Sequence, residues 1–473
     1  MLPRSIRRHA VVSTVAALST LACGLAPSVA HAHVKWFADF DYATPPRSIA
    51  EATTPVFWSM FALSIVVLVV LVWLDRTVSA LPIADRLNNW FDARSGSSLL
   101  VMRVGTFATL LVAWQLGTLF APELLTNNPW IERLQFAIVL LLLTPRTTTL
   151  AGIGLAVVWL YGVQHYGFFH MLDYVNVLGV AYFLTFRPLA NPFLRATTLP
   201  VLYATLGFSL FWLGCEKLVY PAWVNYILEQ NPILTLGLDK DFFRVAAAFI
   251  ELGLGFLLMI GLFGRSLSIV ITLTFFLTTC VFGKTEIIGH TLVHAALIVF
   301  LFEGPGHVFH PPAYFHRTLG MRMAFASVNF ALVTFIALTA YIASAKEVAR
   351  EALANPANAH GDHAMLELGE GEPVPTLQLE ITPDPAGGYN VHLITANFRF
   401  APESLGKPHV PGEGHAHLHI NGAKEGRIYS EWSYLPPLSP GEHEIRVSLN
   451  SNDHQTLAVD GKMIETAETI TAP

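Results

Sequence analysis

The sequence predicts a mainly α protein, a polytopic transmembrane helix bundle of about ten spans that includes two tandem four-helix units, with an all-β sandwich domain at its C-terminal end. Three observations predict it. Hydrophobic residues make up 53% of the chain and charged residues only 13%, a composition far too apolar for a soluble fold. Apolar stretches of the length a bilayer core demands recur along residues 54–345. After residue 345 the composition turns polar, and short alternating runs separated by Pro, Gly, Asn and Asp replace the long apolar ones. A net charge of -6 without a basic patch argues against a nucleic-acid partner.

Residues 1–32 read as a secretory signal peptide. Arg4, Arg7 and Arg8 form a basic head, Ala10 to Ala22 an apolar middle, and Ala30 and Ala32 an A-x-A cleavage site. Cleavage there makes His33 the first mature residue; a rival lipoprotein cut at Cys23 would leave it internal. A periplasmic segment follows at 33–53, then a first span and a cytoplasmic loop at 54–98. The apolar stretches fall at 54–75, 99–121, 131–145, 147–166, 168–187, 198–220, 242–263, 266–283, 287–302 and 322–345. With a periplasmic start, Lys and Arg are modestly enriched on the inward side, as expected in a bacterial inner membrane. Residues 303–345 then hold a cytoplasmic loop and the last span, 346–373 a polar linker that is helical at first, and 374–473 a periplasmic β-sandwich.

A weak internal repeat runs through the spans. "WQLGTLFAP" (114–122) resembles "WLGCEKLVYP" (212–221), "LLTPRTTTLAGIGL" (142–155) resembles "GLFGRSLSIVITL" (261–273), and "YGFFHMLDY" (166–174) resembles "FGKTEIIGH" (282–290). The units run over 99–187 and 198–302, and four spans each make the repeat parallel, about an axis along the membrane normal. Through Gly253, Gly255, Gly261, Arg265 and "FGKTEIIGH", the second unit resembles the DoxX family of four-helix membrane proteins. That resemblance implies a compact inner-membrane bundle and a tie to quinone-linked sulfur oxidation or redox stress.

Within the spans, Glu286, His290 and His294 follow one another at four-residue spacing, one helical stripe with steps of about 6 Å. Their counterparts in the first unit are His170 and Asp173, with His165 close by. Ionisable groups in a span face a bundle interior or water, so these residues predict a metal or proton site between the units, against the plainer reading of hydrogen-bonded helix ends. Cys215 and Cys280 are candidates for a dithiol feeding a quinone, although buried thiols commonly serve as small hydrophobes. Glu251 is either a proton relay or the partner of a basic residue at a helix end.

The sharpest motif is "GEGHAHLHING" (412–422). On a strand, His415, His417 and His419 share one face and Ala416, Leu418 and Ile420 the other. The apolar set belongs to the core, so the histidines are expected to point outward. Residues two apart lie about 6.6 Å apart and residues four apart about 13 Å. One ion can therefore take His415 with His417, or His417 with His419, but not all three. A free N-terminal His33 offers its amine and ring nitrogen together, resembling the "histidine brace" of copper proteins in position. All-nitrogen ligation suits Cu(II), with zinc as the competing ion. His33 and two of the triplet are expected at one periplasmic copper site; Asp453 and His454 read as turn residues first and as groups beside that site second, and His360, His363 and Met365 as flexible polar linker first and as a loose copper-capture sequence second. His307, His310 and His316 read as loop residues. The expected function is copper handling by a membrane protein whose partners are the bilayer, the metal ion and a periplasmic copper protein or quinone. The alternatives are a quinone-linked oxidoreductase subunit and an assembly scaffold, and no residue pattern matches a known catalytic signature.

Overall fold

The computed structural model describes residues 34 to 472 except 38–39, 41, 43, 80–81, 127, 236, 305–310, 355–364, 370, 386, 405–408, 422 and 453–454. The expected signal peptide, His33, His307, His310, His360, His363, Asp453 and His454 thus lie outside the described residues. Two compact units divide the chain: residues 1–39 with 47–344, and residues 40–46 with 345–473.

The first unit is helical. Its elements are α1 (Val34–Phe37), α2 (Ile49–Ala52), α3 (Pro55–Ser79), α4 (Pro82–Asp92), α5 (Ser98–Leu116), α6 (Pro129–Leu141), α7 (Thr148–Tyr166), α8 (Phe168–Met171), α9 (Val175–Phe186), α10 (Pro192–Val219), α11 (Pro221–Gln230), α12 (Lys240–Ile260), α13 (Gly264–Phe282) and α14 (Lys284–Glu303). The long α15 (Leu319–Ala354) follows. Starts are written locally: Asn128 and Asn191 accept from the first free amides of α6 and α10, each followed by a proline that has no amide to satisfy, and Asp239 does the same for α12.

Among the described residues, eight helical stretches are long and apolar enough to cross a membrane. They are Pro55–Thr77, Ala84–Leu116, Pro145–Tyr166, Phe168–Phe186, Pro192–Val219, Lys240–Ile260, Glu286–Glu303 and Leu319–Leu353. Helices also stand at the other two expected spans. However, α6 has only 13 residues, about 20 Å against the roughly 30 Å of a bilayer core, whereas α13 runs over 19 residues.

The packing follows the repeat. α5, α6, α7 and α9 pack each on the next, as do α10, α12, α13 and α14; α9 then packs on α10 and α14 on α5. The eight helices close a cycle in which the two junctions, α9 to α10 and α14 to α5, occupy equivalent places. The middle is filled, because α9 also touches α5 and α14. Even the corners correspond, with Gly167 after α7 and Gly283 after α13 both at positive φ. Arg265 caps the end of α14 through the Leu301 carbonyl (2.7 Å) and reaches Asn88 (2.7 Å) and Asp92 on α4. Outside the cycle, α3 packs on α12 and α15 through Phe57 on Phe249 and Phe61 on Phe330 and Phe335.

The second unit holds the strands β1 (Met365–Glu367), β2 (Thr376–Pro383), β3 (Tyr389–Ala396), β4 (Arg399–Phe400), β5 (Glu413–Ile420), β6 (Ala423–Ile428), β7 (Trp432–Leu435), β8 (Gly441–Ser451), β9 (Thr456–Val459), β10 (Lys462–Met463) and β11 (Glu465–Ala472). An eight-stranded sheet has β8 and β5 at its centre, and β2, β3 and β7 form a three-stranded sheet. One apolar core draws Val391, Leu393 and Leu435 from the smaller sheet and Ala416, Leu418, Val447, Leu449 and Leu457 from the larger. The expected linker 346–373 is helical at its start, as α15 continues to Ala354, and is corrected at its other end, where Met365 opens a strand paired in parallel with β9.

Candidate functional site

The helical unit has a polar centre, and α1 supplies its middle. Lys35 is buried, with its Nζ 2.5 Å from Asp173 Oδ2 and 2.9 Å from Glu216 Oε2, and all three side chains are excluded from solvent. Beside it, Trp36 Nε1 donates to the Tyr174 hydroxyl (2.8 Å), which donates to Glu123 Oε1 (2.6 Å). His170 Nε2 lies 2.9 Å from that same oxygen. The Tyr341 hydroxyl donates to Glu216 Oε2 at 3.4 Å, and Trp159 Nε1 donates to the Tyr174 carbonyl. Glu123 sits in the loop after α5, outside the spanning stretches, and burial pushes its carboxyl up to about 7 against the opposing pull of Lys35 and the Tyr174 hydroxyl. Trp36 also lies against α14: a β-carbon at Gly289 would come within 2.0 Å of its ring, so only glycine admits it.

The expected intramembrane residues are divided by this arrangement. His170 and Asp173 join the polar centre through different partners, His170 facing Glu123 and Asp173 the Lys35 ammonium. His165 is exposed and stacks on Tyr161. On α14, Glu286 accepts from the Thr278 hydroxyl (2.5 Å) and lies 3.5 Å from His290 Nδ1, while His290 stacks on Phe275 and meets the Trp36 ring at 5.2 Å. His294 packs against Phe275 and Phe276. Glu251 is bonded to Lys217 at 2.7 Å, the plainer of its two expected roles. Cys215 is a buried free thiol, and the side chain of Cys280 lies outside the described residues. Lys35, Glu123, Tyr174, Glu216 and Tyr341 were not legible as a group; the one available signal was a carboxylate, Glu216, inside an apolar stretch.

In the second unit, β5 carries the histidine triplet. Ala416 and Leu418 face the shared core as expected. The histidines occupy the opposite face but do not point to solvent: His415, His417 and His419 are 1%, 2% and 6% exposed. This corrects the outward reading. Their cross-strand neighbours on β8 are Asn450, Ser448 and Arg446 in that order, and Asn450 and Ser448 are buried as well. Ser448 Oγ donates to Asn450 Oδ1 (3.2 Å), and Asn450 Nδ2 donates to Thr456 Oγ1 (3.1 Å). Arg446 is paired with Glu444 and Glu465. This face is a second, polar interior.

Of the two pairs the spacing allowed, the structure closes one. His415 Nε2 and His417 Nε2 lie 2.9 Å apart, with ring centroids at 4.8 Å, whereas His417 and His419 have centroids 6.5 Å apart. Two facing nitrogens at this distance cannot both carry hydrogen, so at least one presents a lone pair. Among the described residues no three His, Cys, Asp or Glu side chains are grouped to hold a metal ion. Compared with known proteins, the chain finds no match: no family model, no curated protein and no solved structure matches it.

Proposed function

We propose that this is a multi-pass inner-membrane protein that handles copper, binding Cu(II) through His415 and His417 in a periplasmic β-sandwich. One observation carries the reading, the 2.9 Å separation of the two Nε2 atoms. Bonds of about 2.0 Å at right angles put adjacent ligands about 2.8 Å apart, whereas a tetrahedral ion needs about 3.3 Å. The pair, hydrogen-bonded at 2.9 Å, also brings two ring nitrogens within reach of one ion, and the tetragonal ion leads the divalent affinity order. Burial of the whole histidine face supports it, since two imidazoles turned toward each other contribute little to packing that apolar residues would not do better. Zinc is the competing occupant.

Metal analysis and electron paramagnetic resonance on the full chain in detergent test this reading. Wild type is expected to hold about one copper per chain with nitrogen splitting, and His417→Ala to lose affinity at least ~10-fold. Copper retained at the wild-type level by the His415→Ala/His417→Ala double variant, or selective retention of zinc, overturns it.

A further inference from the structure

Among the described residues, the polar centre of the helical unit has a charge imbalance that its own side chains leave open. Three carboxylates, Glu123, Asp173 and Glu216, surround one ammonium, Lys35, and all are buried. Among the described residues the other polar groups facing them are His170, Tyr174, Tyr220 and Tyr341, none of which brings a fixed positive charge, and Glu251 near Glu216, whose own charge is matched by Lys217 at 2.7 Å. His290 on α14 meets the cluster at the Trp36 ring. If every carboxyl were ionised, the centre would carry two uncompensated negative charges in a site without solvent, which low-dielectric burial opposes strongly. A second observation points the same way. One oxygen of each carboxyl, Asp173 Oδ1, Glu216 Oε1 and Glu123 Oε2, is buried without a hydrogen-bond partner among the described residues, whereas buried carboxylate oxygens are ordinarily satisfied.

We propose that this centre is a proton-binding site, in which Asp173, Glu216 and Glu123 together hold two exchangeable protons around the Lys35 ammonium. The occupant follows from the geometry. Lys35 Nζ already stands 2.5 and 2.9 Å from two carboxylates, the place a sodium or divalent ion would need. A proton is the one cation that neutralises the remaining oxygens without displacing it. The groups come from both repeat units and from α1, α8, α10 and α15, so loading or releasing a proton changes the electrostatics where these elements meet. The upward displacement of the Glu123 carboxyl to about 7 agrees with a proton held near neutral pH. The site is independent of the copper reading.

Infrared difference spectroscopy of the full chain in detergent, with hydrogen–deuterium exchange, reads the protonated-carboxyl carbonyl band directly. At neutral pH wild type is expected to show it, with loss as the pH is raised, and Asp173→Asn and Glu216→Gln are expected to reduce it. Lys35→Met gives the opposite sign: without the ammonium three protons are needed instead of two, and the band from these groups grows about 1.5-fold. That rise distinguishes protonation from mere loss of folding, which would expose and ionise the carboxyls. His417→Ala is expected to leave the band unchanged. The proposal is overturned by a wild-type spectrum that neither Asp173→Asn nor Glu216→Gln alters. It is equally overturned by a stoichiometric bound cation in wild type that disappears in Asp173→Asn.

Discussion

The two units bury polar groups in opposite ways. In the helical unit, charges from separate stretches of chain converge on Lys35, which meets Asp173 138 positions away. In the β unit, the histidines of the polar interior, His415, His417 and His419, are laid down by one strand at a spacing of two. The first arrangement exists only after the helices have packed; the second is implicit in the strand. The consequence for stability differs too. Removing one member of a buried ion cluster strands the others, while removing one of two facing imidazoles mainly costs a contact.

The largest expected effect tests that contrast. Lys35→Met should lower the stability of the helical unit by about 3–5 kcal/mol, because it leaves buried carboxylates without their ammonium, and thermal unfolding in detergent measures it. Lys35→Arg should recover only part of the loss, since the planar guanidinium does not fit the same two oxygens. If Lys35→Met costs no more than His419→Ala, the contrast fails.

Next comes pH. Glu123 is displaced from 4.5 to about 7 by burial, so the folded state holds this proton more tightly than the unfolded state does. Its contribution is fully present below about pH 4.5 and is lost as the pH rises through 7, amounting to at most ~3 kcal/mol. Glu123→Gln should flatten the fall in melting temperature between pH 5 and pH 8. Somewhat smaller is Gly289→Ala, which drives a methyl group into the Trp36 ring and should cost about 1–3 kcal/mol. A shift in Trp36 fluorescence would locate the disturbance at α1. Smallest is the discrimination within the triplet: His415→Ala should weaken copper binding about as much as His417→Ala, at least ~1.4 kcal/mol, and His419→Ala distinctly less. Equal losses at all three positions would mean that the 2.9 Å pair does not define the site.

Much of the fold was written locally. Apolar stretches marked the helices, with α6 too short because its apolar run is interrupted by the breaker at Pro145 and the cap at Asn128. Period-two alternation placed β5 and identified which of its faces meets the core. What local pattern omits is coverage. Alternation says that the histidines oppose Leu418, but solvent on that side is a property of the rest of the unit. For the same reason β1 was read as linker: three residues gain strand character only by pairing with β9, far along the chain. The polar centre was the least legible. Four residues of α1 are too few to show a period, Glu123 lies in a loop, and Glu216 stands as a single carboxylate in a long apolar helix.

Insertion of Lys35 and Trp36 into the middle of the bundle has a consequence for biogenesis. The ribosome releases α1 long before it makes Glu216 or Gly289, against which α1 finally rests. The seat therefore does not exist while the segment waits, and docking must be a late event of high contact order. A nascent chain arrested before residue 216 would present an unseated lysine and tryptophan, so quality-control proteases could distinguish it from a finished protein by cleaving at that end.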